Sequence, residues 1–373
     1  MSGSEYDAIV VGAGPGGASA AFWLGQAGRR VLVLEKEHLP RYKPCGGGIP
    51  KPLFSRFPFD FSTVVEREIG QVRFRFRDGR EVRAALPDRP VAMVMRDRFD
   101  ALILQHARAE VRDGSPVTAL RQDDSGVEVE TRAGESFRAR YLIGADGANS
   151  RVARLVGLRQ RRQMGVALEA EVPADERLLA EYAETALFLF GVPPYGYMWV
   201  FPKAEHLSVG VGAFLGRAPA LRERLEEEMG RLGIRLDGAP CHGHPLPIHL
   251  RRERLHCGRV LLVGDAAGLM DPLLGEGIRH AVDSGRLAAE AVLADRPARY
   301  TRGCSGASAP TCGPGYSGRG CSMSIRAAVL SWVCATRVSS TSSCVSLPGA
   351  RRTDVWPCVP CRISCWARRS GGR

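Results

Sequence analysis

Asp7-Ala-Ile-Val-Val11 runs directly into Gly12-Ala-Gly14-Pro-Gly16-Gly17, and this short stretch decides the fold. The apolar residues after Asp7 read as a buried strand, and the glycines follow where the chain must turn sharply. Ala18, Ala21, Phe22 and Gly25 then recur at i, i+3, i+4 and i+7, which is one face of a helix. Arg30-Val-Leu-Val-Leu34 is a second strand, ending in Glu35, eighteen residues past Gly17. Strand, glycine turn, helix, strand and acid make a complete βαβ unit for a dinucleotide. Gly12 permits the tight turn, Gly14 lets a pyrophosphate approach the backbone, and Gly17 lets helix and strand pack closely. The helix N-terminus offers free N–H groups and a positive dipole to phosphates. Glu35 is placed to accept hydrogen bonds from ribose hydroxyls. The unit alone does not separate FAD from NAD.

The separation comes far downstream. Arg259-Val-Leu-Leu-Val263 is another buried-type strand, followed by Gly264-Asp265-Ala-Ala-Gly268, then Asp271-Pro272 and Gly275-Glu276-Gly277-Ile278. Ile278, Ala281, Val282, Gly285, Ala288, Ala289 and Val292 keep a helical period. A strand delivering an Asp, then a glycine-opened helix, suits a ribityl chain with a flavin ring beyond it. Asp265 is expected to hold hydroxyls of that chain. The helix start at Gly275, Gly277 and Ile278 is expected to face the pyrimidine edge, where reduced flavin carries negative charge. FAD is therefore the expected cofactor. Between the two motifs, Tyr141-Leu-Ile-Gly144 reads as a strand, and the Asp146-Gly147 turn with Asn149 reads as the start of a helix.

Bulk properties exclude other classes. The chain has 373 residues, room for two packed domains. No stretch approaches the ~18 consecutive apolar residues of a membrane helix. A first strand beginning near Tyr6 leaves no room for a signal peptide, so a cytoplasmic location is expected. The net charge of +12 resembles a nucleic-acid signal, but +9 of it falls in residues 301–373, where ten Arg face a single acid, Asp354. No nucleic-acid partner is expected. Eight of the eleven cysteines also lie beyond residue 300. Cys358 and Cys361 form a C-x-x-C without a second pair or zinc-type His spacing, so no metal is expected. From Pro297 onward Arg, Ser, Gly, Pro and Cys crowd out Lys and Glu, and amphipathic period is lost. Disorder and a shifted reading frame both produce that composition.

Three further stretches bear on function. Arg41-Tyr-Lys43-Pro44-Cys45-Gly46-Gly47-Gly48-Ile49 brings backbone close to something flat or bulky. Pro194-Tyr195-Gly196-Tyr197-Met198-Trp199-Val200-Phe201-Pro202 puts Tyr195, Tyr197, Trp199 and Phe201 on one face of a strand. Val94-Met-Arg96-Asp97-Arg98-Phe99-Asp100 opens a helix expected to run to about Val111.

The glycine motif, Gly144-Ala-Asp146-Gly147-Ala-Asn149-Ser150 and Gly264-Asp265, in that order, resemble the FAD enzymes related to para-hydroxybenzoate hydroxylase. The Lys-Pro-Cys-Gly-Gly-Gly stretch and the P-x-x-Y-x-W-x-F-P pattern resemble the geranylgeranyl reductase family, over the chain up to about residue 295. The resemblance implies an α/β fold: a Rossmann-like FAD-binding domain from residues 1–70, 91–160 and 255–295, with an interleaved β-sheet-rich substrate domain from 71–90 and 161–254. Residues 297–373 form an anomalous tail. It implies that Gly46 and Gly48 approach the flavin, that Arg96 contacts FAD, that backbone near Val117 lines the adenosine side, and that Asp146 lies near the pyrophosphate. Tyr195, Tyr197 and Trp199 would border the substrate, and the candidate proton sources are Cys45, a tyrosine or water. The implied reaction is reduction of carbon–carbon double bonds of a geranylgeranyl or related isoprenoid lipid. NADPH or a small electron carrier would be the reductant, and membrane contact would be peripheral. A flavin monooxygenase of aromatic or polyketide substrates shares the FAD motifs, and an inactive, frame-shifted flavoprotein is the alternative outside enzymes.

Overall fold

The computed structural model describes residues 6–158, 163–193, 195–214, 219–248, 253–271 and 275–307. Pro194, Pro272, the Cys358–Cys361 pair and the tail from residue 308 lie outside the described residues.

Tyr6–Val11 sits at the centre of the first sheet, parallel to Val31–Leu34 on one side and to Ser136–Gly144 on the other. Glu110–Arg112 and Val260–Leu262 extend it in parallel on the two sides, and the short His256–Cys257 pairs antiparallel to Val260–Leu262 at one edge. Val10 pairs with Val33 and with Ile143, and all three are fully buried, as strands covered on both faces require. The helices Pro15–Gln26 and Ile278–Leu293 pack together, where Ser19 Oγ donates to the Val282 carbonyl at 2.8 Å. Because the strands are parallel, the residues just past their C-terminal ends gather at one edge of the sheet. Gly12, Glu35, Asp146 and Asp265 thereby become neighbours of one crevice, where open α/β sheets bind ligands.

The second sheet has seven strands in the order Cys241–Ile248, Gln163–Pro173, His206–Ala213, Gly196–Pro202, Thr185–Phe190, Gln71–Phe76 and Glu81–Ala85. Alternation along Gly196–Pro202 divides its residues. Met198 and Val200 join a core that includes the helix residues Tyr182, Leu225 and Met229. Tyr197, Trp199 and Phe201 join an aromatic cluster on the opposite face, with Phe188 and Phe214. A small third sheet of Gly48–Pro50, Val91–Val94 and Val65–Ile69 completes the arrangement.

Two expectations need correction. The helix opening near Val94 spans Arg96–Gln105 and stops short of Val111. Glu110–Arg112 instead adds a strand beside Leu32–Leu34, where the parallel ladder satisfies its backbone groups. Regular packing also does not end at Pro297. Pro297–Ala307 is a helix; Tyr300 and Cys304 are buried, and Tyr300 Oη donates to the Leu262 carbonyl at 2.5 Å. The composition shift masks this, since two buried residues among Arg, Ser and Gly make little period. Removing the Tyr300 ring leaves a cavity under the first sheet. Tyr300→Ala should therefore cost about 3–5 kcal/mol, read as a lowered urea midpoint at unchanged slope.

Candidate active site

One cavity of about 1250 Å³ runs from the glycine turn of the first sheet to the aromatic face of the second. Pockets for a single small molecule hold roughly 300–1000 Å³, so this one has room for a dinucleotide and a second molecule.

At the nucleotide end, Gly12 has φ +103, and a Cβ there would stand 2.7 Å from the Ala145 carbonyl carbon. A Cβ on Gly17 would run into the Gly12 carbonyl oxygen, so this glycine serves the turn–helix contact and does not line the cavity. Gly14 does line it and is the N-cap of Pro15–Gln26, with no side chain capping the helix. Arg41 lies across this opening. Its Nη2 is 3.4 Å from where a Gly14 Cβ would sit and 3.2 Å from Asp100 Oδ2, while its Nη1 is buried with no partner among the described residues. An uncapped helix start beside a buried guanidinium nitrogen lacking an acceptor fits a pyrophosphate. Glu35 is buried and accepts from the N–H groups of Ala13 at 2.7 Å and Glu37 at 3.1 Å. Ser115 to Thr118, Val117 among them, form the neighbouring wall. The FAD fits the residues present at this end.

Asp146 lines the cavity, but its carboxylate is engaged by its own turn and the helix that follows. It accepts from Ser150 Oγ and from the N–H groups of Arg151 and Val152, capping the short helix Arg151–Leu155. The cap residue is Ser150, not Asn149.

Further along stand Arg96, Lys43, His244 and Asp265. Arg96 is buried and makes two hydrogen bonds to Asp100, at 3.0 and 2.8 Å. Burial alone would lower its pKa, but Asp100 and Cys45 more than offset this and hold it raised. Lys43 Nζ lies 2.6 Å from His244 Nε2, which is 3.9 Å from Asp265 Oδ2. Burial, then the charge of Arg96, lowers the Lys43 pKa to about 8. Burial works to raise the Asp265 carboxyl; His244 and Lys43 outweigh it and keep it below the usual range. Gly275, Gly277 and Ile278 line the cavity, and Gly277 caps Ile278–Leu293 without a side-chain bond.

The far wall is aromatic. Tyr197 stands against Phe188 and Phe214 with ring centroids at 5.5 and 5.4 Å, and Trp199 follows at 6.2 Å. Cys45, Gly46 and Gly48 face this wall: a Cβ on Gly46 would be 2.8 Å from the Phe201 ring and 3.1 Å from Trp199 Nε1. Tyr195 is the exception to the sequence reading. The strand begins at Gly196, Tyr195 occupies a turn with φ +56, and its ring is 59% exposed and outside the cavity wall.

Arg41, Lys43, Asp100, Glu169, Lys203 and His244 were not singled out as site residues from the sequence. Arg41 and Lys43 lay inside a stretch already marked by its glycines, and Arg96 with Asp100 has the i, i+4 spacing of a helical pair. Glu169, Lys203 and His244 carry no local signal, because long-range pairing brings Glu169 and His244 to the cavity and Lys203 to the main chain of the loop that lines it.

Lys203 is 1% exposed and its pKa is lowered by burial to about 8. The folded pKa is thus below the unfolded value of about 10.4, so the unfolded chain binds more protons between the two. This group makes stability rise as pH climbs from about 8 towards 10. Relative to Lys203→Met, the wild type should gain on the order of 1–3 kcal/mol over that interval, measured by urea unfolding at each pH. Parallel curves for the two proteins would contradict the assignment.

Residues 65–293 match the FAD binding domain family, and residues 10–41 match an NAD(P)-binding Rossmann-like domain. The chain is 32% identical over 317 residues to the chloroplastic geranylgeranyl diphosphate reductase of Oryza sativa subsp. japonica, covering 79% of this chain and 67% of the relative. It is 31% identical over 339 residues to menaquinone reductase of Mycobacterium tuberculosis, covering 80% and 81%. A solved geranylgeranyl bacteriochlorophyll reductase-like protein of Thermoplasma acidophilum shares the fold, with a TM-score of 0.70 at 24% identity over 81% of this chain and 83% of that one. With relatives this similar over most of their length, the chain belongs to the geranylgeranyl reductase family and is an FAD-dependent oxidoreductase.

Proposed function

We propose that the protein reduces carbon–carbon double bonds of a geranylgeranyl or related isoprenoid chain. The observation that carries this reading is the wall of Phe188, Tyr197, Trp199 and Phe214, which continues the dinucleotide crevice into an apolar slot. Such a slot excludes water and holds an alkene chain by area and shape, without needing polar groups on the substrate. When bound, FAD supplies a hydride equivalent to one alkene carbon, with NADPH or a small electron carrier as the source of electrons. Gly12, Gly14, Glu35, Arg41 and Asp265 would hold the cofactor, with Arg96 and the start of Ile278–Leu293 near its ring. The second alkene carbon needs a proton. Lys43, with its pKa near 8 and its contact to His244, is largely protonated at neutral pH and is suited to supply it within the cavity, as is the Cys45 thiol by position. No described helix is long and apolar enough to cross a membrane, and a lipid substrate would be reached by peripheral contact.

The test is anaerobic incubation of the FAD-loaded chain with a chemical reductant and geranylgeranyl diphosphate or a geranylgeranylated lipid. Products heavier by two hydrogens per step are expected. Unchanged isoprenoids, together with oxygen-dependent hydroxylation of an aromatic substrate, would make the protein a monooxygenase instead.

A further inference from the structure

The loop Tyr42–Gly47 carries Cys45 and Gly46 of the cavity wall, yet its two consecutive glycines, with Gly48 next, give it few side chains with which to pack. Two buried charges from the second sheet hold it. Glu169, on Gln163–Pro173, accepts from the Cys45 N–H at 2.8 Å and from Tyr42 Oη at 3.3 Å. Its other oxygen accepts from Ser208 Oγ at 2.8 Å, and Ser208 in turn accepts from Trp199 Nε1 at 3.3 Å. Lys203, immediately after Gly196–Pro202, donates to the Gly46 carbonyl at 2.9 Å and to the Val94 carbonyl at 2.7 Å. Glu169 is 3% and Lys203 1% exposed. Neither charge is paired with the other's side chain in these bonds: Lys203 is satisfied by main-chain carbonyls, and Glu169 by one main-chain N–H and two hydroxyls. Burying such charges costs several kcal/mol each, and apolar residues would fill the same space at less cost.

We propose that Glu169 and Lys203 are positioning residues: a carboxylate on the Cys45 N–H and an ammonium on the Gly46 carbonyl fix this segment, with Gly46 against Trp199 and Cys45 on the same cavity wall. The bond through Ser208 registers the loop to the aromatic wall, so that cysteine and slot keep one spacing. Gly47 belongs to the same device. It has φ +68, and a Cβ there would stand 2.6 Å from Lys203 Nζ, so the ammonium reaches its carbonyls only past a bare backbone. The proposal rests on the reading of this cavity as the reaction chamber for its consequence, but its geometry can be tested without any isoprenoid.

The test is the rate of iodoacetamide alkylation at Cys45 in the purified full-length, FAD-bound protein, followed by peptide mass mapping. Cys45 is half-buried on the cavity wall, so loop movement changes how readily its thiol meets the reagent, and the rate reports how firmly the loop is kept. Glu169→Leu should raise the Cys45 rate by about tenfold or more, whereas Glu169→Gln, which keeps an oxygen for the Cys45 N–H, should stay within about threefold of wild type. Lys203→Met releases the other side of the loop and should raise the rate by about tenfold or more; it decides the matter if Glu169→Leu does not fold. A wild-type rate in a folded, yellow Glu169→Leu or Lys203→Met protein overturns the proposal. So does a Gln variant that is as fast as the Leu variant, since the acceptor it keeps for the Cys45 N–H would then not be what holds the loop.

Discussion

Gly14→Trp should leave the purified chain colourless. Gly14 caps the helix whose free N–H groups face the cavity, and Arg41 Nη2 already lies 3.4 Å from the position of a Cβ there. An indole at this point occupies the space in which a pyrophosphate would meet both the helix start and Arg41. The fold has no other need for a glycine here: its φ of −71 is open to any residue, and only the arginine tip is near. The variant should therefore fold, with FAD affinity lower by about a thousandfold or more, roughly 4 kcal/mol. Flavin absorbance retained at wild-type stoichiometry would show that the cofactor lies elsewhere.

Trp199→Ala should do the opposite. It should keep FAD and lose turnover. Trp199 lines the slot, is 8% exposed, stands beside the Cys45 loop at Gly46, and donates to Ser208 on the neighbouring strand. Its removal widens the slot by most of an indole, so an alkene chain is no longer held at one distance from the flavin. Misplacement on the order of 1 Å costs about a hundredfold in rate, and kcat/KM for the isoprenoid should fall by roughly that factor. Truncating a large buried aromatic also costs about 3–5 kcal/mol of stability. Assays therefore need to be run well below the melting temperature, at matched flavin content. Equal kcat/KM at equal flavin content would remove Trp199 from the substrate wall.

The parts of the molecule legible in its sequence are those set by local geometry. Val11-Gly12 and Leu34-Glu35 announce a strand end followed by a cavity-lining residue, because a parallel strand buried on both faces reads as an apolar run and the chain turns into the crevice just past it. Gly264-Asp265 is readable for the same reason. Tyr195 misled because alternation was extended one step beyond the strand: the period of two holds only while the backbone is extended, and at Tyr195 it turns. Val111 misled because a short edge strand carries no pattern distinct from a fraying helix. Glu169, Lys203 and His244 could not be read at all. Their meaning lies in what the folded sheet brings within 3 Å, and a lone acid or base on a strand looks like any solvated residue. Asp146 shows the converse: the motif is plain, but its carboxylate spends its bonds on Ser150, Arg151 and Val152.

The most direct test of the central claim is a single turnover without oxygen. The FAD-loaded protein is reduced anaerobically, freed of excess reductant, and mixed with a geranylgeranyl substrate while the oxidised-flavin absorbance is followed. Isoprenoid reduction predicts that the absorbance returns, with one alkene saturated for each flavin reoxidised. A flavin that stays reduced beside every isoprenoid and reoxidises only when oxygen is admitted would contradict it.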